Sequence, residues 1–165
     1  MFEVKINTNA REVLKQVQAR MNMLNLKEKF TQVLVQLLNI GFPIAYAELV
    51  ANADYDGIND IQIDTEVDAE NGTATLTAKG QAVLFVEFGT GITYVYGHPM
   101  DLELGFGPGT YPPKNPNNPN WSNPQGWYYG QRQHTYGNKP NMGMYHARNE
   151  MLAQINNVVR EIFNQ

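Results

Sequence analysis

Glutamate and histidine are the side chains through which this chain could do acid–base or metal chemistry. It has three histidines, sixteen acidic residues and no cysteine. Glu87 stands apart from the other acids. It lies in Val83-Leu84-Phe85-Val86-Glu87-Phe88, the most apolar run of the chain, directly before Gly89-Thr90-Gly91. Together with His98, His134 or Asp101 it would make a general acid/base group or a zinc site, since carboxylate and imidazole serve both. No HExxH, GxSxG, phosphate-loop or EF-hand spacing supports that chemistry. With so many acids, an apparent Glu–His constellation arises readily by chance. His98, before Pro99, suits a turn, and His146 suits the solvent side of a final helix. A second role for Glu87 follows from its neighbours. An ionised carboxylate in an apolar run is costly without partners. Gly89 and Gly91 can take positive φ, turning successive N–H groups toward one acceptor, and a carboxylate accepts such bonds strongly. The expectation is that Glu87 pins the Gly89–Gly91 turn, directly or with Arg132 or His134.

Helices must come first in the scaffold that positions these residues. Asn9 with Glu12 reads as a helix start, and Val13, Val17, Met21 and Leu24 recur at helical spacing. A second start at Asn25 with Glu28 leads into Phe30, Val33, Leu34, Leu37 and Leu38. Both stripes read as core. Gly41 and Pro43 interrupt the pattern, and Pro43 can open a short helix to about Ala51. The period then becomes two: Ile61, Ile63, Thr65 and Val67 alternate with polar residues, as do Ala74, Leu76 and Ala78. The Glu70-Asn71-Gly72 turn between them signals a hairpin. The run 83–88, apolar on both faces, predicts a third, central strand of a meander, with Glu87 on the face of Val83 and Phe85.

From Gly105 to Gly126 the chain has six prolines, five asparagines and one charged residue. Proline fixes φ and removes donors, so no packed element is expected there. A segment of this length suits an arm or lid ordered against something else, with Tyr111 and Trp121 as candidate contacts. Trp127 to Tyr129 read as a short strand returning to the sheet. Met144, Arg148, Met151, Leu152, Ile155, Val158, Val159 and Ile162 then mark a closing helix initiated by Pro140. The expected fold is a single α+β domain: N-terminal helices (1–52), an antiparallel β-meander (58–91), a long Pro/Asn-rich loop (92–126), and an extra short strand with a C-terminal helix packed on the sheet (127–165).

The bulk composition narrows the classes further. At 165 residues the chain suits one domain. The absence of cysteine excludes disulfides and thiolate metal sites, which suits a reducing cytoplasm. No signal-peptide core and no uninterrupted apolar run of about 20 residues is present, so no membrane partner is expected. A net charge of -4 with twelve dispersed basic residues does not suit a nucleic-acid-binding surface.

Four stretches in order, FVEFGTG (85–91), His98-Pro99, Gly126-Trp127 with Tyr129, and HTYGNKPNMGMYHA (134–147), resemble the neck and minor-tail proteins of long-tailed bacteriophages. These are the tail-completion or head–tail joining proteins. The resemblance spans most of the chain in layout and residues 81–147 in motif. The Pro/Asn-rich loop is longer than in the family. The resemblance implies a structural virion protein of the neck, folded in the host bacterial cytoplasm, with no catalytic residue and no cofactor. It implies assembly as a ring of copies of itself that contacts other neck and tail proteins and lets genomic DNA pass. The motif positions implied to shape the subunit are Glu87, Phe88, Gly89, Thr90, Gly91, His98, Pro99, Gly126, Trp127, His134, Gly137 and Pro140. Candidate interface residues are Tyr111, Trp121, Tyr128, Tyr129 and Met144. Two alternatives come from the residues themselves: a sugar- or protein-binding module using the Trp/Tyr-rich region, and a His/Glu metal-dependent hydrolase.

Overall fold

The computed structural model describes residues 10–53, 55, 57–91, 97–100, 125–129 and 133–164; the side chains of 10–18, 127, 129 and 133 are outside that set. Tyr111, Trp121, Arg132, Asp101 and almost all of the long loop therefore fall outside the described residues, as do the side chains of Trp127 and Tyr129.

A single long helix, α1 (Ala10–Tyr46), replaces the two helices expected before Pro43, and it continues into a π-helical turn at Ala47–Ala51. The turn is closed by the Asn52 N–H donating to the Ala47 carbonyl at 2.8 Å, a five-residue step. Pro43 lies inside the helix and does not end it. The apolar face continues past it through Ala45 and Leu49, both fully buried, and this burial outweighs the lost hydrogen bond. Small residues allow close approach on that face: a Cβ on Gly41 would lie 2.7 Å from Met151 Sδ. No charged residue stands between Phe30 and Glu48, and the segment Ala19–Ala51 is apolar and long enough to cross a membrane by length and composition, with 28% of its most apolar window buried in the fold.

The closing helix, α3 (Gly143–Phe163), runs antiparallel along α1, and this pairing is the largest in the fold. Val33 of α1 packs with Val158 and Ile162 of α3, flanked by Leu37, Ile40 and Phe163. Burying each such aliphatic side chain stabilises the fold by about 1.5–3 kcal/mol. The seam ends where Phe30 meets Phe163 edge-on at 6.2 Å. Beyond that point the expected core stripe is exposed: Met21 is 59%, Leu24 64% and Phe30 59% accessible. On α3, Leu152, Ile155 and Val159 also face outward, because the inner face follows Gly143, Ala147, Val158 and Ile162.

The expected hairpin is present as β1 (Gln62–Asp68) and β2 (Thr73–Lys79), antiparallel, with Ile63 opposite Ala78 and Val67 opposite Ala74. Asp68 fastens its turn by accepting from the N–H groups of Glu70 and Asn71. The sheet stops at two strands. Residues 83–88 form a short helix, α2 (Val83–Phe88), where a third strand is expected. Two bonds divert the chain before the run begins. The Asp60 carboxylate accepts from Gln81 N–H at 2.8 Å and Ala82 N–H at 2.9 Å, fixing the turn just before the helix. These bonds hold the Asp60 carboxyl below its usual range. Ala82 and Val86, one helical turn apart, then enter a core with Leu49 and Ile61, while Leu84 is exposed. Met144 of α3 packs on this same core beside Ile63 and Ala78, so the first turn of α3 lies on the sheet.

Trp127–Tyr129 do form a strand, β3. It does not return to the first sheet but pairs with β4 (Gln133–Thr135) in a separate hairpin, Trp127 opposite Thr135. The architecture is α+β.

Candidate functional site

Glu87 sits on the last turn of α2, 4% exposed, and its carboxylate points at the start of α3. Oε2 accepts from the Met144 N–H at 2.9 Å and Oε1 from the Tyr145 N–H at 3.0 Å. These are among the first helical N–H groups, which have no carbonyl partner within their own helix, and the positive end of the α3 dipole favours an anion there. The reverse connection is also made. The Asn141 N–H donates to the Val86 carbonyl at 2.9 Å and the Met142 N–H to the Glu87 carbonyl at 3.2 Å. The end of one helix and the start of the next thus satisfy each other. Met142, in the left-handed region at φ 60°, makes the corner between them.

His98 completes the cluster. Its Nδ1 accepts the Met100 N–H at 3.0 Å, so the ring proton is on Nε2, which lies 3.2 Å from Glu87 Oε1. The ring is packed between Phe88, with centroids 4.3 Å apart, and Tyr145, at 5.3 Å. His98 therefore organises its own turn, as expected, and also reaches the buried acid.

Beneath the clasp, two loops cross backbone to backbone. The Thr90 N–H donates to the Asn138 carbonyl at 2.9 Å, and the Asn138 N–H donates to Thr90 Oγ1 at 2.8 Å. A Cβ on Gly137 would come within 2.0 Å of the Thr90 carbonyl oxygen, and Gly137 has φ 97°. A Cβ on Gly89, at φ 77°, would likewise crowd the Asn138 carbonyl at 2.6 Å and Pro140 at 2.8 Å. Pro140 is thus buried against the Gly89 turn, and α3 begins three residues later at Gly143. It closes the crossing and does not initiate the helix.

The residues expected at the site divide accordingly. Glu87, Phe88, Gly89, Thr90, Gly91, His98, Gly137 and Pro140 come together, with Pro99 exposed beside them. Gly126 and His134 do not join them: His134 Nε2 lies 2.9 Å from the Gln125 carbonyl, and Gly126 packs on His134 and Thr135 within the β3–β4 hairpin. Glu87 is a clasp, but its partners are the start of α3 and His98. The expected link to His134 is replaced by a bond of that ring to the Gln125 carbonyl, and the expected route through Arg132 lies outside the described residues. Of the expected interface residues, Tyr128 is 71% exposed and stands edge-on to His134 at 4.8 Å. Met144 is instead partly buried in the core. Asn138 and Asn141 belong to the site and were not anticipated. Asn141 also donates from Nδ2 to the Glu48 carbonyl at 2.8 Å, tying the site to the π-helical turn. The asparagines of GNKPN, next to glycine and proline, were the available signal for such local bonding.

A cleft of about 290 Å³ opens beside the clasp, with Met100, Met144, Val83 and Phe88 on its walls and Arg148 at its edge. Both Glu87 oxygens are engaged at its base. Among the described residues no three His, Asp or Glu side chains stand together as metal ligands. No family model, curated protein or solved structure matches this chain.

Proposed function

We propose that this chain is a structural subunit of the neck of a tailed bacteriophage, a completion or head–tail joining component that assembles as a ring. One observation carries the reading: the FVEFGTG run, His98 and the GNKPNMGMY run, 40 residues and more apart in sequence at their extremes, meet in one buried cluster. These belong to three of the four stretches through which the chain resembles that class; the fourth, Gly126–Trp127 with Tyr129, lies in the separate β3–β4 hairpin. The polar atoms of the cluster are occupied in holding α2, α3 and two loops in register, which supports a role in shaping a rigid subunit. Its partners would be further copies of itself and other neck and tail proteins, in the virion, with the long loop and its Tyr111 and Trp121 as an adaptable contact. The net charge of -4 suits a ring through which genomic DNA passes without adhering. Electron microscopy of particles from a phage lacking this gene tests the reading. Separate DNA-filled heads and finished tails are expected; normally joined particles would overturn it.

A further inference from the structure

The clasp also builds the cleft beside it. Met100, Met144 and Tyr145 line the cleft, and each is fixed through its backbone N–H: Met144 and Tyr145 to the Glu87 carboxylate, Met100 to Nδ1 of His98. With Val83 and Phe88 they make walls of thioether, aliphatic and aromatic groups around about 290 Å³. An apolar cavity of about 150 Å³ is enough to hold a benzene, so the cleft has room for one large apolar side chain. The two methionines, unbranched and polarisable, let its walls fit side chains of differing shape. The edge of the cleft carries a charge that the fold does not use. Arg148 stands in the series Met144, Arg148, Met151, Leu152 and Ile155, whose other members are apolar. Its side chain is exposed and donates to the Asn149 amide oxygen at 3.3 Å, and no carboxylate among the described residues pairs with it. Glu87, the acid at the base, already accepts from two N–H groups and faces His98.

We propose that this cleft docks a segment of a partner protein, with one large apolar side chain entering between Met100, Met144 and Phe88 and an acidic residue next to it binding Arg148. The inference stands on the cleft and on Arg148 and does not depend on the neck reading. Charge complementarity selects the acidic flank, because a guanidinium pairs with a carboxylate through two parallel bonds. The clasp supplies preorganisation: three wall residues are held in place before the partner arrives, which lowers the ordering cost of binding. An apolar anchor in a pocket with a charge at its rim is the make-up of an interface hot spot. The size of the cleft argues for an anchor on a longer segment. Pockets for free ligands run from about 300 Å³ upward and enclose most of the molecule, whereas this one lies at that lower limit and is open to solvent. A free acid would bury few atoms in it, and a segment adds contacts beyond it.

Amide chemical-shift NMR on the full chain, titrated with the probe N-acetyl-Phe-Glu-amide, tests this. Shifts centred on Met100, Met144, Tyr145 and Arg148 are expected, with a Kd on the order of 1 mM for one anchor and one charge. N-acetyl-Phe-Gln-amide should bind roughly fivefold more weakly, and N-acetyl-Ser-Glu-amide, which lacks the anchor, should leave these residues unshifted. Arg148→Glu, at an exposed position, should keep the melting temperature and reverse the preference, weakening the Glu probe and strengthening N-acetyl-Phe-Lys-amide by roughly fivefold each. No shift at these four residues with the Phe-Glu probe about tenfold above that Kd would overturn the proposal. So would equal binding of the Glu and Gln probes, or a preference that Arg148→Glu does not reverse, since either removes Arg148 from the site. A Ser-Glu probe that binds as well as Phe-Glu would remove the cleft from it. Phenylpropionate binding more tightly than the peptide probe would overturn it in favour of a free carboxylic acid.

Discussion

A carboxylate that receives two backbone N–H groups and an imidazole N–H cannot be replaced by its amide without losing at least one of them, because an amide has a single acceptor atom. Glu87→Gln should therefore destabilise the fold by about 1.5–3 kcal/mol, the contribution of a hydrogen bond to a charged group. Urea unfolding checks this, and an unchanged midpoint would mean that the clasp does not hold α3. A second pair of substitutions separates backbone strain from crowding. Gly72 has φ 66° with nothing near its missing Cβ, whereas Gly137 has φ 97° with the Thr90 carbonyl in the way. Gly72→Ala should cost about 1–2 kcal/mol from the left-handed conformation alone. Gly137→Ala should cost clearly more, and equal losses would refute the described loop crossing. The need of Glu87 for hydrogen-bond partners was legible in the sequence, since a buried acid among aliphatic residues demands them. Which partners it has was not legible, because the N–H groups it binds are 57 and 58 residues away and carry no side-chain signature.

Among the elements, acidic side chains act as local fasteners at both ends of the β1–β2 region. Asp60 is held below its usual 3.8 by the N–H groups of Gln81 and Ala82, and Asp68 by the backbone and side-chain N–H of Asn71. A lowered folded-state pKa contributes stability that is complete above the unfolded value and is lost as pH falls through the folded one. Lys79 is shifted the other way, above 10.5, by Asp64, so its contribution holds below that value and fades as pH rises through the folded pKa. The melting temperature should accordingly be level through neutral pH with respect to these groups and fall on acidification below about pH 4. An Asp60→Asn/Asp68→Asn variant should start lower at neutral pH and lose less on acidification; an equally steep acid limb would show that these turns do not contribute. The same fasteners explain what the sequence concealed. A short run rich in apolar residues fits a buried strand and a buried helix equally well, and Asp60, more than twenty positions upstream, holds the Gln81-Ala82 turn that leads into Val83–Phe88. The β1–β2 hairpin needed no distant information, since its alternation and its Asn71-Gly72 turn are local. The break expected at Pro43 was overridden by a distant contact, the packing of α3 along the face that contains Gly41, Ala45 and Leu49.

At the scale of the whole molecule, packing is unevenly distributed along α1. From Phe30 onward the helix is held by α3 and flanked by the hairpin, while Met21, Met23, Leu24 and Leu26 remain more than half exposed. Isolated helical segments have little stability of their own in water, and exposed side chains contribute little to a folding equilibrium. A chain lacking residues 1–22 should therefore keep its fold, with a melting temperature within about 3 °C of the full chain, the shift that roughly 1 kcal/mol produces at this size. It should lose the far-ultraviolet helical signal of the removed turns. Circular dichroism and differential scanning calorimetry measure both quantities on one sample. A drop of ten degrees or more would mean that the first half of α1 contributes to the core, and its apolar residues would then have to be read as packing.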